Sequence, residues 1–288
     1  MKLDGATVLL QWAAGGLLGG WITTRRREVG LGYGWLLRSV FGAMALSSAV
    51  LFASRDGAAA RSRSREQRSA RWVPWSRFAV SVARRSQGVR VQSVERSRRR
   101  ARVRAMLAAG EPESPPPAEE APRSEFPPLL DLVAPVGGFV GLLGAASLAG
   151  GPFGTAAARL VAGAAFSGAL IDAMLLGHWY LVQPGLRRDP LREMVALAAA
   201  LWVPAVAAFV WPTGMVQVIG GGVDDGFGGL LGWAWVLVAV STPLLIGAAW
   251  LALRERAYSA VMAATGLLYL AILTGLGSDL VARAALAP

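Results

Sequence analysis

The chain has no cysteine, a single histidine at His178 and a single lysine at Lys2. Without thiols it makes no disulfide, no iron–sulfur cluster and no thiolate zinc site. With one histidine it cannot hold a bis-histidine haem by itself. Charge is scarce too, at 16% of 288 residues, against about 25% in ordinary soluble domains. The glycines do not follow a strand or open a helix at dinucleotide spacing, so nucleotide binding has no support. No Ser, His and acid arrangement is written into any short stretch. The sequence therefore assigns no catalytic residue, no cofactor and no metal, and it points away from an enzyme.

What is present is apolar: 54% of residues are hydrophobic. The long runs are those of transmembrane helices rather than of a soluble core. The expected fold is all-α, a polytopic transmembrane helical bundle of about seven spans. They are Thr7–Thr23, Gly32–Ser54, Leu129–Ala149, Ala156–Val182, Met194–Trp211, Leu230–Leu253 and Tyr258–Leu286. Arg25–Arg27 behind the first span argue against a signal peptide, which would carry a small-residue cleavage site there. Thr242-Pro243 marks a kink in the sixth span. No internal repeat is visible, so an inverted-repeat transporter has no support.

Four segments follow from composition: residues 1–54, a two-helix unit; 55–109, rich in Arg; 110–128, an acidic, Pro-rich linker; and 129–288, a five-helix unit. Arg55–Arg104 holds 16 Arg against Asp56, Glu66 and Glu95, a net of +13 that exceeds the +11 of the whole chain. Within it Trp75, Phe78, Ala79 and Val82 fall on one helical face with Arg77, Arg84 and Arg85 off it. That pattern suits an amphipathic helix lying on anionic lipid headgroups. Arg also neutralises nucleic-acid phosphates, but no nucleic-acid fold signature accompanies the run, so specific nucleic-acid binding is not expected. The partners expected are the bilayer, anionic headgroups and other membrane proteins.

Ala156–Val182 organises the rest. At 27 residues it is about 40 Å long as a helix, so it tilts in a core about 30 Å thick or stands out of it. Gly163 and Ser167, and Ala164 and Gly168, recur at a spacing of four, which lets helices approach closely in lipid. Asp172 lies near its middle, where an ionised carboxylate costs roughly 2.5–3.5 kcal/mol unless sheltered. Tyr180 falls about 80° from Asp172 round the helix and His178 about 120° away, so His178 does not share the Asp172 face. His178 is an interfacial packing residue on one reading and a proton or ligand group on the other. In the last span Asp279 and Arg283 are four apart and form an ion pair. Placed at headgroup depth the pair is structural. Placed deep, it joins Asp172, His178 and Tyr180 in a polar interior that Thr265, Tyr269 and Thr274 help to line. Asp224 and Asp225, adjacent in a Gly-rich loop, are too few and too close in sequence for a calcium loop.

Three functions are compatible with this. The first is a non-enzymatic membrane subunit or assembly component. The second is a small transporter or proton- or ion-conducting protein using Asp172 with His178, Tyr180 or Asp279. The third is a membrane enzyme acting on a lipid or quinone, with His178 at headgroup depth. Of the 29 basic residues all but Lys2 are Arg, and Ala and Gly abound. This bias suggests a GC-rich bacterial gene and hence a bacterial cytoplasmic membrane. Positive charge in loops places the N-terminus inside and the C-terminus outside, with Arg25–Arg27 as an exception on the outer side. Inversion of the first two spans, with an extra crossing between Arg55 and Pro128, would remove that exception.

Overall fold

The computed structural model describes residues 4–25, 29, 31–62, 128–149, 151–183, 186–212, 214–255 and 257–286. These residues form eight helices and no strand: α1 Gly5–Thr24, α2 Leu31–Ser62, α3 Pro128–Leu148, α4 Phe153–Val182, α5 Asp189–Val210, α6 Gly214–Ile219, α7 Leu230–Ala252 and α8 Tyr258–Ala285. Six of them, α2, α3, α4, α5, α7 and α8, are long and apolar enough to cross a membrane. The chain is an all-helical, membrane-type bundle. The amphipathic stripe at Trp75–Val82, most of the Arg-rich run and nearly all of the acidic linker lie outside the described residues.

The central role of the fourth span holds. Within their apolar spans, 67% of α4 is buried, against 17–33% for the other five. α1 explains much of that burial. It is 20 residues long, shorter than those six, and in it glycines and Gln11 take the place of larger residues. Those small residues face protein. A Cβ on Gly15 would lie 1.9 Å from the Ala164 carbonyl oxygen, and one on Gly168 would lie 2.1 Å from the Gly15 carbonyl. The two backbones touch, which only glycine permits. Gly16 lies against the Phe41 ring and Gly20 against Leu37, so the other side of α1 packs on α2 in the same way.

Residue pairs fix the directions. Gln11 lies beside Gly163 and Gly19 beside Asp172, so α1 and α4 are parallel. Ser48 donates to Ala6 O at 2.6 Å and Leu37 meets Gly20, so α2 is antiparallel to α1. Leu10 meets Gly141 and Ala14 meets Gly138, so α3 is antiparallel to α1 as well. Arg159 bonding Ala208 O sets α5 against α4, and Gly177 beside Thr265 with Gly275 beside Leu170 does the same for α8. Thr242 bonds Thr274, which sets α7 antiparallel to α8. The bundle therefore has two ends. At one, α1, α4 and α7 stop and α2, α3, α5 and α8 start. It carries Arg25, Arg187, Arg188, Arg192 and Arg254 and is called here the basic end. At the far end lie Gly151, the Asp224-Asp225 loop and the last turns of α2, with Arg55 and Arg61.

Several sequence expectations change. Arg25 sits at the basic end, where it pairs with Glu193 at 2.6 Å and lies over the Trp21 ring, so it is no exception among the loop arginines. The helix ends flanking the Arg-rich and acidic segments were expected on one side, yet α2 ends at the far end and α3 starts at the basic end, with Arg38 of α2 pairing with Asp131 of α3 at 2.6 Å. α2 itself runs on to Ser62, eight residues past the apolar stretch that ends at Ser54. α5 begins at Asp189 rather than Met194, because Pro190 suits a first turn and Asp189 faces the positive end of the helix dipole. The Gly-rich connection contains the short α6. α7 continues through Pro243. Proline offers no N–H to Ala239 O, and the Trp202 indole donates to that carbonyl instead at 3.2 Å.

Candidate functional site

Asp172 is completely buried on α4. Two features of the neighbouring helices make room for it. Gly19 of α1 sits where a Cβ would come 2.9 Å from the Asp172 Cβ. Tyr33, the third residue of α2, donates its hydroxyl to Asp172 Oδ1 at 2.6 Å and lies 3.1 Å from the Asp172 carbonyl oxygen. Thr23 flanks the carboxyl, its own hydroxyl bonding Gly19 O and Gly20 O at 3.1 Å. Oδ2 has no hydrogen-bond partner among the described residues, and no Arg, Lys or His pairs with Asp172 there. The Tyr33 ring tilts against Trp179 at 5.7 Å, and Tyr180, also buried, interacts with Tyr33. Tyr180 is thus on the Asp172 side of α4, as the helical angle predicts.

His178 is elsewhere. It is exposed on the outside of the bundle, with Nδ1 3.4 Å from the Tyr269 hydroxyl and the two rings edge to face at 6.4 Å. Asp279 and Arg283 form the expected ion pair, Nε to Oδ2 at 2.9 Å, but not at an exposed headgroup position. Arg283 is fully buried and Asp279 nearly so. Gln11 completes the cluster from α1. Arg283 donates to Gln11 Oε1, and Gln11 Nε2 donates to Asp279 Oδ2 at 3.4 Å. Gly163 of α4 leaves the space, since a Cβ there would lie 2.6 Å from Gln11 Nε2. Beside Asp279 is a cavity of about 20 Å³, bounded by Ser167, Trp202, Phe209, Thr242 and Ser278 among others. That volume holds about one water.

The five residues singled out in the sequence therefore fall into three places, not one polar interior. Asp172 and Tyr180 share a site with Tyr33. Asp279 and Arg283 share another with Gln11. The eight residues from Gln11 to Gly19 separate these two by about 12 Å along α1. His178 joins neither. Thr265 bonds Val261 O, Thr274 bonds Thr242 and Tyr269 meets His178. No group of three or more metal-ligating side chains occurs among the described residues. No family model, no curated protein and no solved structure matches this chain.

Asp224 and Asp225 order their own loop. Asp224 accepts from Gly226 N at 2.9 Å. Asp225 accepts from Gly229 N at 2.8 Å and from Phe227 N and Leu231 N at 2.9 Å, which caps the start of α7. These N–H groups, that of Gly229 foremost, hold the exposed Asp225 carboxyl below the usual carboxylate range.

Reading the sequence missed Gln11, Gly15, Gly19, Thr23 and Tyr33. Two of these signals were in plain view. Gln11 is the one amide in the first apolar run, and Gly15, Gly16, Gly19 and Gly20 give two small-residue pairs at a spacing of four. Tyr33 carries no signal of its own, because only the fold brings α2 to Asp172.

Proposed function

We propose that this chain is a multi-pass membrane protein that handles a proton or a monovalent cation at Asp172. The observation that carries this reading is a completely buried carboxyl with Tyr33 as its hydrogen-bond donor, an unpartnered second oxygen and no paired cation among the described residues. A buried ionised carboxylate without a counter-charge is costly. Asp172 is thus a place where a proton or a small cation is taken up. Asp279, by contrast, already has Arg283 beside it. Tyr33 replaces His178 as the partner of Asp172.

The reading extends to topology. α1, with small residues toward its neighbours, forms a seventh crossing. The basic end faces the cytoplasm of a bacterial cell, as Arg25, Arg187, Arg188, Arg192 and Arg254 support, against Arg55 and Arg61 on the last turns of α2 at the other end. The start of α1 and the end of α8 then lie together on the outer side, in place of the opposed termini expected from the sequence, and by parity this reading takes up the extra crossing between Arg55 and Pro128 that the sequence left as the alternative. The test is flux in proteoliposomes under a proton, sodium or potassium gradient. The wild-type chain dissipates one of these and Asp172→Asn does not. Equal flux in both, or none in the wild type, overturns the proposal.

A second reading, a non-enzymatic subunit or assembly component, draws on α2. Only 17% of its span is buried, and Val50, Leu46 and Leu36 point away from the bundle. Purification in mild detergent as a lone monomer counts against it.

A further inference from the structure

Given that the chain spans a membrane and that Asp172 takes up a proton or cation, as proposed above, the question is from which face the ligand arrives. We propose that Asp172 exchanges with the basic end alone.

The three hydroxyl groups around the carboxyl belong to helix ends on that side, while Gly19, which also borders it, lies deeper in α1. Tyr33 is the third residue of α2, Thr23 the last but one of α1 and Tyr180 the third from the end of α4. Two residues beyond Thr23 is Arg25, whose ion pair with Glu193 is about one-third exposed on both sides. The way from Asp172 to water is therefore short in this direction, past hydroxyl groups and a surface carboxylate. No other titratable side chain faces Asp172 from α1, α2 or α8 among the described residues.

Toward the far end the interior is sealed on three sides. The α1 and α4 backbones meet at Gly15, Ala164 and Gly168 with no space for a side chain, let alone water. Phe41 of α2 lies on Gly16 and closes the α2 side. Leu170 and Phe166 of α4 close on Gly275 of α8. Beyond this apolar plug lies the Gln11, Asp279 and Arg283 cluster, whose members are bonded to one another rather than aligned toward Asp172. The site is thus a one-sided pocket for a proton or small monovalent cation, and flux through the protein requires the plug to part.

The absence of cysteine makes the test direct, because an introduced thiol is the only one in the chain. Thr23→Cys and Asp172→Cys are each placed in oriented vesicles and treated from one face with a small charged methanethiosulfonate. Arg187→Cys and Asp224→Cys mark the two faces. The expected result is reaction of Thr23→Cys and Asp172→Cys from the Arg187 face and loss of that reaction from the Asp224 face. Reaction from the Asp224 face, or from neither face, overturns the inference. Should Asp172→Cys fail to fold, Thr23→Cys carries the test, since the Thr23 hydroxyl bonds carbonyls of its own helix and a thiol is of similar size. The outcome is separable from that of the flux experiment. Loss of flux in Asp172→Asn with thiol access from both faces keeps the ion-handling reading and removes the one-sided pocket.

Discussion

Tyr33 and Asp172 show how much one hydroxyl carries in an apolar interior. The bond is 2.6 Å long, links α2 to α4 and shares its donor with a backbone carbonyl. Phenylalanine fills the same space but leaves the carboxyl without its donor, at a cost of about 1–3 kcal/mol. Tyr33→Phe is therefore expected to lower the thermal unfolding midpoint in detergent, whereas Tyr269→Phe, whose hydroxyl meets an exposed histidine, leaves it close to wild type. Asp225 gives a residue-scale prediction of opposite sign with respect to burial. Its carboxyl is exposed, and the amides of Gly229, Phe227 and Leu231 hold its pKa below the ordinary value. A depressed folded value means that the stabilisation is complete above the unfolded carboxylate range and is lost as pH falls through the folded value. Hydrogen exchange at Gly229 and Leu231 should stay protected from neutral to mildly acid pH and lose that protection in stronger acid. In Asp225→Ala the protection is missing throughout.

At the scale of helices, small residues decide which surfaces meet and buried charge decides which must stay together. Gly168→Ala forces a methyl against the Gly15 backbone, where no flexible side chain can yield, and overpacking of this kind costs about 1–3 kcal/mol. Gly266 of α8 has nothing near its would-be Cβ, so Gly266→Ala gains about 0.5–1 kcal/mol from helix propensity. The two melting shifts should differ in sign. Asp279→Asn leaves Arg283 buried without its counter-ion, a loss of about 3–5 kcal/mol, and adding Arg283→Met to that variant should restore much of it. A double variant no more stable than Asp279→Asn would show that Gln11 alone suffices for Arg283. The helices themselves were legible in the sequence, because runs of apolar residues broken by Gly, Pro and Arg set their bounds to within a few residues, except at the end of α2 and the start of α5. The face shared by Asp172 and Tyr180 was legible from the helical angle, and the Asp279–Arg283 pair from its spacing. The partners of these groups were not. Tyr33 and Gln11 reach them across 139 and 268 residues of chain, and no local pattern encodes such a distance.

For the whole molecule, what the sequence left open was which helix ends lie together. Loop charge alone put Arg25 and Arg187 on different faces, because alternation was counted along an unbroken series of spans. The parallel contact of α1 with α4 breaks that series. Gln11 beside Gly163 and Gly19 beside Asp172 allow only one relative direction, and the Arg25–Glu193 pair confirms the end at which both helices finish. The same geometry puts Ser54 of α2 and Asp131 of α3 at opposite ends: Ser48 is level with Ala6 at the far end, whereas Asp131 meets Arg38 near the start of α2. In the cysteine-free background, single cysteines at Ser54, Asp131, Arg187, Asp224 and Arg254 should sort into two groups toward an impermeant maleimide applied to intact bacterial cells. Ser54→Cys and Asp224→Cys are labelled directly, whereas Asp131→Cys, Arg187→Cys and Arg254→Cys are labelled only after permeabilisation. Reversal of both groups would keep the bundle and invert its orientation, because positive loop charge and helix packing are independent facts. Labelling of Ser54→Cys and Asp131→Cys from one face would instead break the bundle, since no rotation of the whole brings those two ends together.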